Sequence, residues 1–273
     1  MAMFLTLSDV TTGMTLVSKS KTKAIDRLRM EKRYGKLLAY HILRLSELGR
    51  ESTENQGSAR CMELLYQNKA QGRMVLGKIV DYFLLRLPVS KATRERRGVV
   101  VDLVRKQMPC KKMLYVPCGT ASELKVLARR YPETEFFGLD LDTKGAKRNT
   151  KGLRNVKIMK CNAFDYSAYP AGRFDVVLTI GLVDYLSLDE TSAFYRRLKG
   201  KLKKDGVLIT SVIGTHKHAD SLMKEFADFS PVYKTKKDLV GCLRKAGFKA
   251  KVWLDDHGIH SFGVAKLVKK KKF

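Results

Sequence analysis

The residues able to do chemistry in this chain gather between Lys112 and Asp142 and at a few positions downstream. Pro117-Cys118-Gly119-Thr120-Ala121-Ser122 is a turn of small residues. It lies between an apolar run, Met113 to Val116, and an amphipathic segment, Leu124 to Tyr131, that Pro132 stops. Such a turn lets a ligand approach the backbone and the N-terminus of a helix. A second apolar run, Phe136 to Leu139, ends at Asp140, whose carboxylate can bind ribose hydroxyls. Gly119 and Asp140 are 21 positions apart (140 − 119), close to the roughly 20 that a nucleotide-binding strand, turn, helix and strand require. The same unit is used by NAD-binding domains and by α/β domains without a nucleotide.

The elements that must position these residues alternate. Gly145 to Thr150 reads as a weak helix and Asn155 to Met159 as a third strand, leading into Cys161-Asn162-Ala163-Phe164-Asp165. Phe174 to Ile180 is a fourth strand, followed by Gly181-Leu182-Val183-Asp184-Tyr185-Leu186. Ser187 and Glu190 have capping-box spacing for a helix with Phe194, Leu198 and Leu202, which Gly206 ends; Val207 to Ile213 is a fifth strand. Thr235 caps a helix holding Leu239, Leu243 and Ala246. Phe248 to Leu254 and Ser261 to Val268 are two more strands, joined through Asp255-Asp256-His257-Gly258-Ile259-His260.

The N-terminal part is helical by pattern. Residues 1–18 carry no periodicity and read as a loose arm. Ala24, Leu28, Leu38, Ile42 and Leu45 give one amphipathic helix from Lys19 to Leu48, ended by Gly49. Residues 49–58 form a polar connector. A second helix runs from Ala59 to Leu87, with Ser58 as N-cap and Pro88 as stop, and a third from after Ser90 to near Gln107. The expected layout is therefore an arm (1–18), a helical extension (19–108), an α/β domain (109–268) and a basic tail (269–273).

From about residue 90 to 268 this order of elements resembles the class I S-adenosylmethionine-dependent methyltransferases. The resemblance is carried by Gly119 in its turn, by Phe174-Asp175-Val176-Val177, by Ala246-Gly247-Phe248 and by the hairpin that follows. The family's first motif, aliphatic-acid-aliphatic-Gly-x-Gly-x-Gly, is met in part. Pro117 and Ala121 stand at the first and third glycines, and Tyr115 at the acid. The resemblance implies an α/β fold: a Rossmann-like seven-stranded methyltransferase sheet with an antiparallel last strand, preceded by an N-terminal helical extension. It implies S-adenosylmethionine as cofactor, with contacts at Val116, Pro117, Cys118, Gly119, Thr120, Glu123, Leu141, Ile180 and Gly181. By the same resemblance Asp140 holds the ribose, and Asn162 and Ala163 lie at the adenine.

Methyl transfer from a sulfonium is an in-line displacement, so the protein chiefly orients donor and acceptor and supplies a base when the acceptor carries a proton. Asp184 and Tyr185 after the fourth strand and His216 after the fifth are the candidate catalytic residues. His216, His218, His257 and His260, with Asp255 and Asp256, sit in two loops expected at one edge of the sheet. They can act as bases or metal ligands, or simply face water. The motifs account for a cofactor without an ion, so no metal is expected. Neither an Asn-Pro-Pro-Tyr sequence nor a cysteine nucleophile is indicated, which disfavours the nucleic-acid base methylation classes built on them.

Lys and Arg number 54 against 27 Asp and Glu, a net charge of +27. That excess far exceeds the roughly 2 to 8 that solubility asks of a small domain, and it attracts polyanions. An RNA or another anionic macromolecule is thus one expected acceptor, contacted by Arg94, Arg96, Arg97 and the tail Lys269 to Lys272. The alternatives are a small metabolite or lipid-like acceptor, and a non-catalytic binding protein on the same scaffold. Five cysteines without a C-x-x-C pair argue against a disulfide framework and for a reducing compartment. Of these, Cys118, Cys161 and Cys242 read as buried free thiols. No apolar run approaches 18 residues and the N-terminus lacks a basic start, so a soluble cytoplasmic protein is expected.

Overall fold

The computed structural model describes residues 23–55, 58–215, 225–226 and 231–268. The expectations placed on the arm 1–18, on His216 and His218 and on the tail 269–273 lie outside these residues. The chain forms two compact units, Met1–Lys91 with Lys217–Ser230, and Ala92–His216 with Pro231–Phe273.

In the first unit the two long helices expected from periodicity are five shorter ones: α1 (Lys23–Met30), α2 (Tyr34–Leu43), α3 (Glu47–Glu54), α4 (Ala59–Gln67) and α5 (Met74–Arg86). The chain breaks at Lys32 and Asn68, which take left-handed φ values of 53° and 49°. Gly49 does not end a helix. It sits in the first turn of α3, where its N–H donates to the N-cap Ser46 Oγ at 2.8 Å. A Cβ there would lie 2.2 Å from the Leu43 carbonyl oxygen, so no other residue fits. Ser58 caps α4 as expected, accepting from Cys61 N at 3.0 Å. The breaks are closed by Asp81 of α5, a buried acid whose carboxylate accepts from Ser46 Oγ, from Leu48 N at 3.0 Å and from Gln71 N at 2.8 Å. Periodicity cannot reveal such a device, because a buried acid at this position reads as a polar gap in an apolar stripe.

Pro88 separates two helices and begins the second, α6 (Pro88–Arg105). A proline's missing N–H is not needed in a first turn, and its fixed φ suits the position. From Ala92 onward α6 belongs to the second unit.

That unit is built on a seven-stranded sheet: β1 (Lys112–Tyr115), β2 (Glu135–Asp140), β3 (Val156–Lys160), β4 (Phe174–Ile180), β5 (Leu202–Ile213), β6 (Phe248–Leu254) and β7 (His260–Leu267). Their order is 3-2-1-4-5-7-6. Strands β1 to β5 pair in parallel, and β7 lies antiparallel between β5 and β6. One face of the sheet, with Leu114, Val116 and Leu208, packs Phe194 and Leu198 of α9 (Leu188–Lys199) and Leu239 and Leu243 of α10 (Lys236–Lys245). The other face, with Met113, Val176, Ile209 and Phe262, packs Val100 and Val104 of α6 and Leu124 and Leu127 of α7 (Ser122–Arg130). Helix α8 (Lys144–Thr150) joins β2 to β3. Both capping boxes form, Ser187 with Glu190 and Thr235 with Asp238. Helix α9 closes at Gly200, and Gly206 lies inside β5 instead. There the register slips from Phe174 opposite Leu202 to Val176 opposite Val207. A Cβ on Gly206 would stand 2.9 Å from the Phe174 carbonyl oxygen.

Candidate active site

Because β1 to β4 are parallel neighbours, the segments that follow them emerge along one edge of the sheet, and backbone bonds tie them in sequence. Val116 N donates to Leu178 O at 2.9 Å, Cys118 N to Leu139 O at 2.9 Å, and Cys161 N to Asp140 O at 2.9 Å. The turn after β1, the acid ending β2 and the Asn162 segment after β3 are therefore held as one surface. Gly119 N donates to Asp140 Oδ2 at 2.7 Å, and Asp142 N donates to Asp140 Oδ1 at 3.1 Å. Burial pushes the Asp140 carboxyl above its ordinary pKa, while the N–H groups of Gly119, Asp142 and Leu141 pull it back. Each carboxylate oxygen keeps a lone pair beyond the bond it accepts, enough for the two hydroxyls of a ribose diol.

The glycine turn departs from the family motif in sequence more than in shape. Gly119 has φ 52° and Ala121 φ 53°, so alanine adopts the left-handed conformation that the replaced glycine favours. A Cβ at Gly119 would meet no heavy atom within 4 Å. A ligand can therefore come against the backbone itself there. Ser122 and Glu123 open α7, with Ser122 Oγ donating to Glu123 Oε2 at 3.0 Å. Thr120 is buried, its carbonyl taking Asn149 Nδ2 at 3.0 Å, while Leu141 is exposed beside Asp140. Val116 turns its side chain into the core and offers the site only backbone. Burial pushes the Cys118 thiol up, which keeps it a neutral packing group.

Asn162 Oδ1 accepts from Phe164 N at 3.0 Å, and the Ala163 carbonyl accepts from Tyr169 Oη at 2.6 Å. The first bond fixes the amide so that its NH₂ end is available to a purine nitrogen. On the far side of β1, Ile180 ends β4 and Gly181, at φ 89°, starts the 3-10 turn Leu182–Tyr185.

In that turn Asp184 is buried and Tyr185 is exposed. Asp184 Oδ1 accepts from Ile213 N at 2.9 Å, joining the ends of β4 and β5. Burial pushes its carboxyl up to about 6, opposed by the Arg96 guanidinium, the Ile213 N–H and the Lys234 ammonium. The folded protein thus holds this proton more tightly than the unfolded chain, where the pKa is about 3.9. Its contribution is present at low pH and is lost as pH rises through 6. An Asp184→Asn variant, titrated with urea, should gain on the unmodified protein by up to roughly 3 kcal/mol between about pH 4 and pH 7.5. A pH-independent difference would show that Asp184 is not the buried acid described here.

Lys234, which no sequence pattern marks, is fully buried beside this turn. Its Nζ donates to Val183 O at 2.7 Å, Leu186 O at 2.6 Å and Val232 O at 2.9 Å. Burial pushes its pKa down.

The hairpin histidines depart from the reading of water-facing loop residues. His260 is the first residue of β7 and fully buried, its Nδ1 3.0 Å from Asp255 Oδ2. His257 is half-buried, with Nε2 2.8 Å from Glu95 Oε2. Among the described residues no three His, Cys, Asp or Glu side chains gather as a metal site requires. Arg94, Arg96 and Arg97, expected on a polyanion-facing surface, are half-buried. Arg97 Nη2 donates to Ser122 O at 3.4 Å, and the charge of Arg96 acts on both Asp184 and His260.

The sheet order with its antiparallel β7, and a glycine turn locked to the acid of β2, define a Rossmann-like methyltransferase fold. Residues 114–210 match the family described as Methyltransferase domain, and this match, with the fold, supports the class I S-adenosylmethionine-dependent methyltransferase superfamily. The fold is similar to that of a Bordetella parapertussis protein described as a possible exported protein. That match has TM-score 0.76 and 21% identity, over 97% of this chain and 100% of the other. It is also similar to an O-methyltransferase family protein from Burkholderia thailandensis, with TM-score 0.53, 16% identity, and coverage of 78% and 68%. Magnesium protoporphyrin IX methyltransferase from Synechocystis, with bound SAH, gives TM-score 0.52, 14% identity, and coverage of 75% and 93%. No curated protein matches the sequence. No helix among the described residues is long and apolar enough to cross a membrane.

Proposed function

We propose that the chain binds S-adenosylmethionine at the β1 to β4 edge and transfers its methyl group to a small molecule. The observation that carries this reading is the Gly119 N–H locked to Asp140 Oδ2, with open space in front of the Gly119 Cα. Asp140 takes the ribose, the Asn162 amide the adenine, and the Gly119 backbone the cofactor's remaining length. When bound, the cofactor supplies an activated sulfonium methyl. The residues of this chain hold it, exclude water from it and orient the acceptor on the Asp184 side of β4. A small acceptor is supported by structural neighbours, magnesium protoporphyrin IX methyltransferase among them. It is supported too by arginines half-buried within the second unit.

The test is calorimetric titration of the unmodified protein with S-adenosylmethionine and its demethylated product. Saturable binding to one site is expected, and no heat at millimolar ligand would sink the enzyme reading. The net charge of +27 supports a second acceptor, RNA or another polyanion. Its signature is binding that weakens linearly in log affinity against log salt.

A further inference from the structure

The hairpin between β6 and β7 holds one imidazole in a fixed state. Asp255 Oδ1 accepts from Ile259 N at 2.7 Å and Asp255 N donates to His260 O at 2.8 Å, so the carboxylate cannot swing away from the ring. A carboxylate only accepts, and the proton between it and His260 therefore sits on Nδ1, leaving Nε2 with a bare lone pair. That nitrogen is buried and has no hydrogen-bond partner among the described residues. An acceptor atom hidden without a donor is costly, and native proteins keep few of them.

Its position is as informative as its state. Because β7 is antiparallel, its first residue lies at the edge where β4 and β5 end, and His260 pairs with Ile213, whose N–H holds Asp184. Along β5 and β7, alternation puts His260, Phe262, Ile213 and Ser211 on one face of the sheet. The Ser211 hydroxyl there is likewise buried without a partner among the described residues. Two unsatisfied polar atoms thus share the face and the edge next to the methyl-donor side of β4.

We propose that His260 is a catalytic residue of the acceptor site: its Nε2 accepts a hydrogen bond from the hydroxyl of a small phenolic acceptor and takes that proton during transfer, with Asp255 as positioning residue. This rests on the methyltransferase reading. As the hydroxyl oxygen's lone pair bonds to the methyl carbon, the carbon–sulfur pair returns to sulfur. The O–H pair stays on oxygen, and the proton passes to Nε2. The products are a methyl ether, a neutral thioether and an imidazolium paired with Asp255, which gives its proton to water when the product leaves. The groups facing His260 are Asp255 on its own hairpin, His257, and Arg96 from α6. Burial holds the imidazole down to about 4, so it is neutral and able to accept at physiological pH. So weak a base suffices because the acceptor oxygen becomes far more acidic as it is alkylated. The Arg96 cation disfavours an ammonium acceptor here, and so weak a base suits a phenol, the more acidic of the neutral hydroxyls.

The experiment uses the full chain saturated with the demethylated cofactor product. With ¹⁵N-labelled histidine, catechol, phenol and 4-hydroxybenzoate are added in turn, and the His260 Nε2 resonance is followed by NMR. A saturable upfield shift of that one nitrogen with at least one phenol is expected. In parallel, His260→Gln should keep affinity for the demethylated product within threefold and lose about a hundredfold in the methylation rate of the same phenol. Asp255→Asn should lose less. If the demethylated product fails to bind, the methyltransferase reading fails. If it binds, and either no phenol moves the Nε2 signal or His260→Gln turns over at the unmodified rate, this inference alone is overturned.

Discussion

Replacing Asp140 with alanine should lower the affinity for S-adenosylmethionine by two to four powers of ten. A ribose diol donates two hydrogen bonds to this carboxylate, and bonds to a charged acceptor contribute about 1.5–3 kcal/mol each, hence about 3–6 kcal/mol together. The free protein loses less, because the N–H groups left without this acceptor belong to Gly119, which is half-buried, and to Leu141 and Asp142, which are exposed. Thermal unfolding should shift little while calorimetric affinity collapses. Asp140→Asn, which keeps one accepting oxygen, should fall between. An alanine variant that binds within threefold of the unmodified protein would remove Asp140 from the site.

Lys234→Met should destabilise the second unit by about 3–5 kcal/mol, the cost of breaking a buried charged contact by removing one partner. Methionine fills a similar volume, so packing is nearly conserved and the loss isolates the ammonium. The carbonyls of Val183 and Leu186, two residues flanking the Asp184 turn, lose their donor in a place water does not reach. Lys234 also fixes the strand-like segment whose Val232 N donates to Asp184 O at 2.8 Å and whose Lys234 N donates to Ile213 O at 2.9 Å. Urea unfolding followed by near-UV circular dichroism gives the measurement. A change below about 1 kcal/mol would mean that the three carbonyls find other donors.

What the sequence reveals of this molecule divides along the range of the interactions involved. The β4 strand lies at Phe174–Ile180, where its run rich in β-branched residues, Val176, Val177, Thr179 and Ile180, puts it, and both capping boxes form because every group in them is within three residues. The Gly119 and Asp140 pair is legible for a similar reason: a fixed strand and helix length between them leaves one place for each. The first unit is not legible in that way. Its helices break where Asp81 and the Leu45 carbonyl, which accepts from Arg73 N at 2.8 Å, capture backbone from far along the chain. Lys234 and His260 were missed as a clamp and a buried imidazole because a lone lysine or histidine looks solvated until the strands around it are paired. Only the alternation of His260 with Phe262 and Val264 along β7 hinted that the ring points inward.

The insertion of β7 between β5 and β6 has a consequence for assembly. Until the last strand is seated, the twelve-residue β5, apolar from Val207 to Ile213 apart from Thr210 and Ser211, presents a bare row of backbone donors and acceptors. Such an edge pairs with whatever strand it meets, including the same segment of another copy. The β6–β7 hairpin therefore works as a built-in guard against self-association during folding. The Asp255 and His260 bonds that shape its tip help to decide whether the guard arrives preformed.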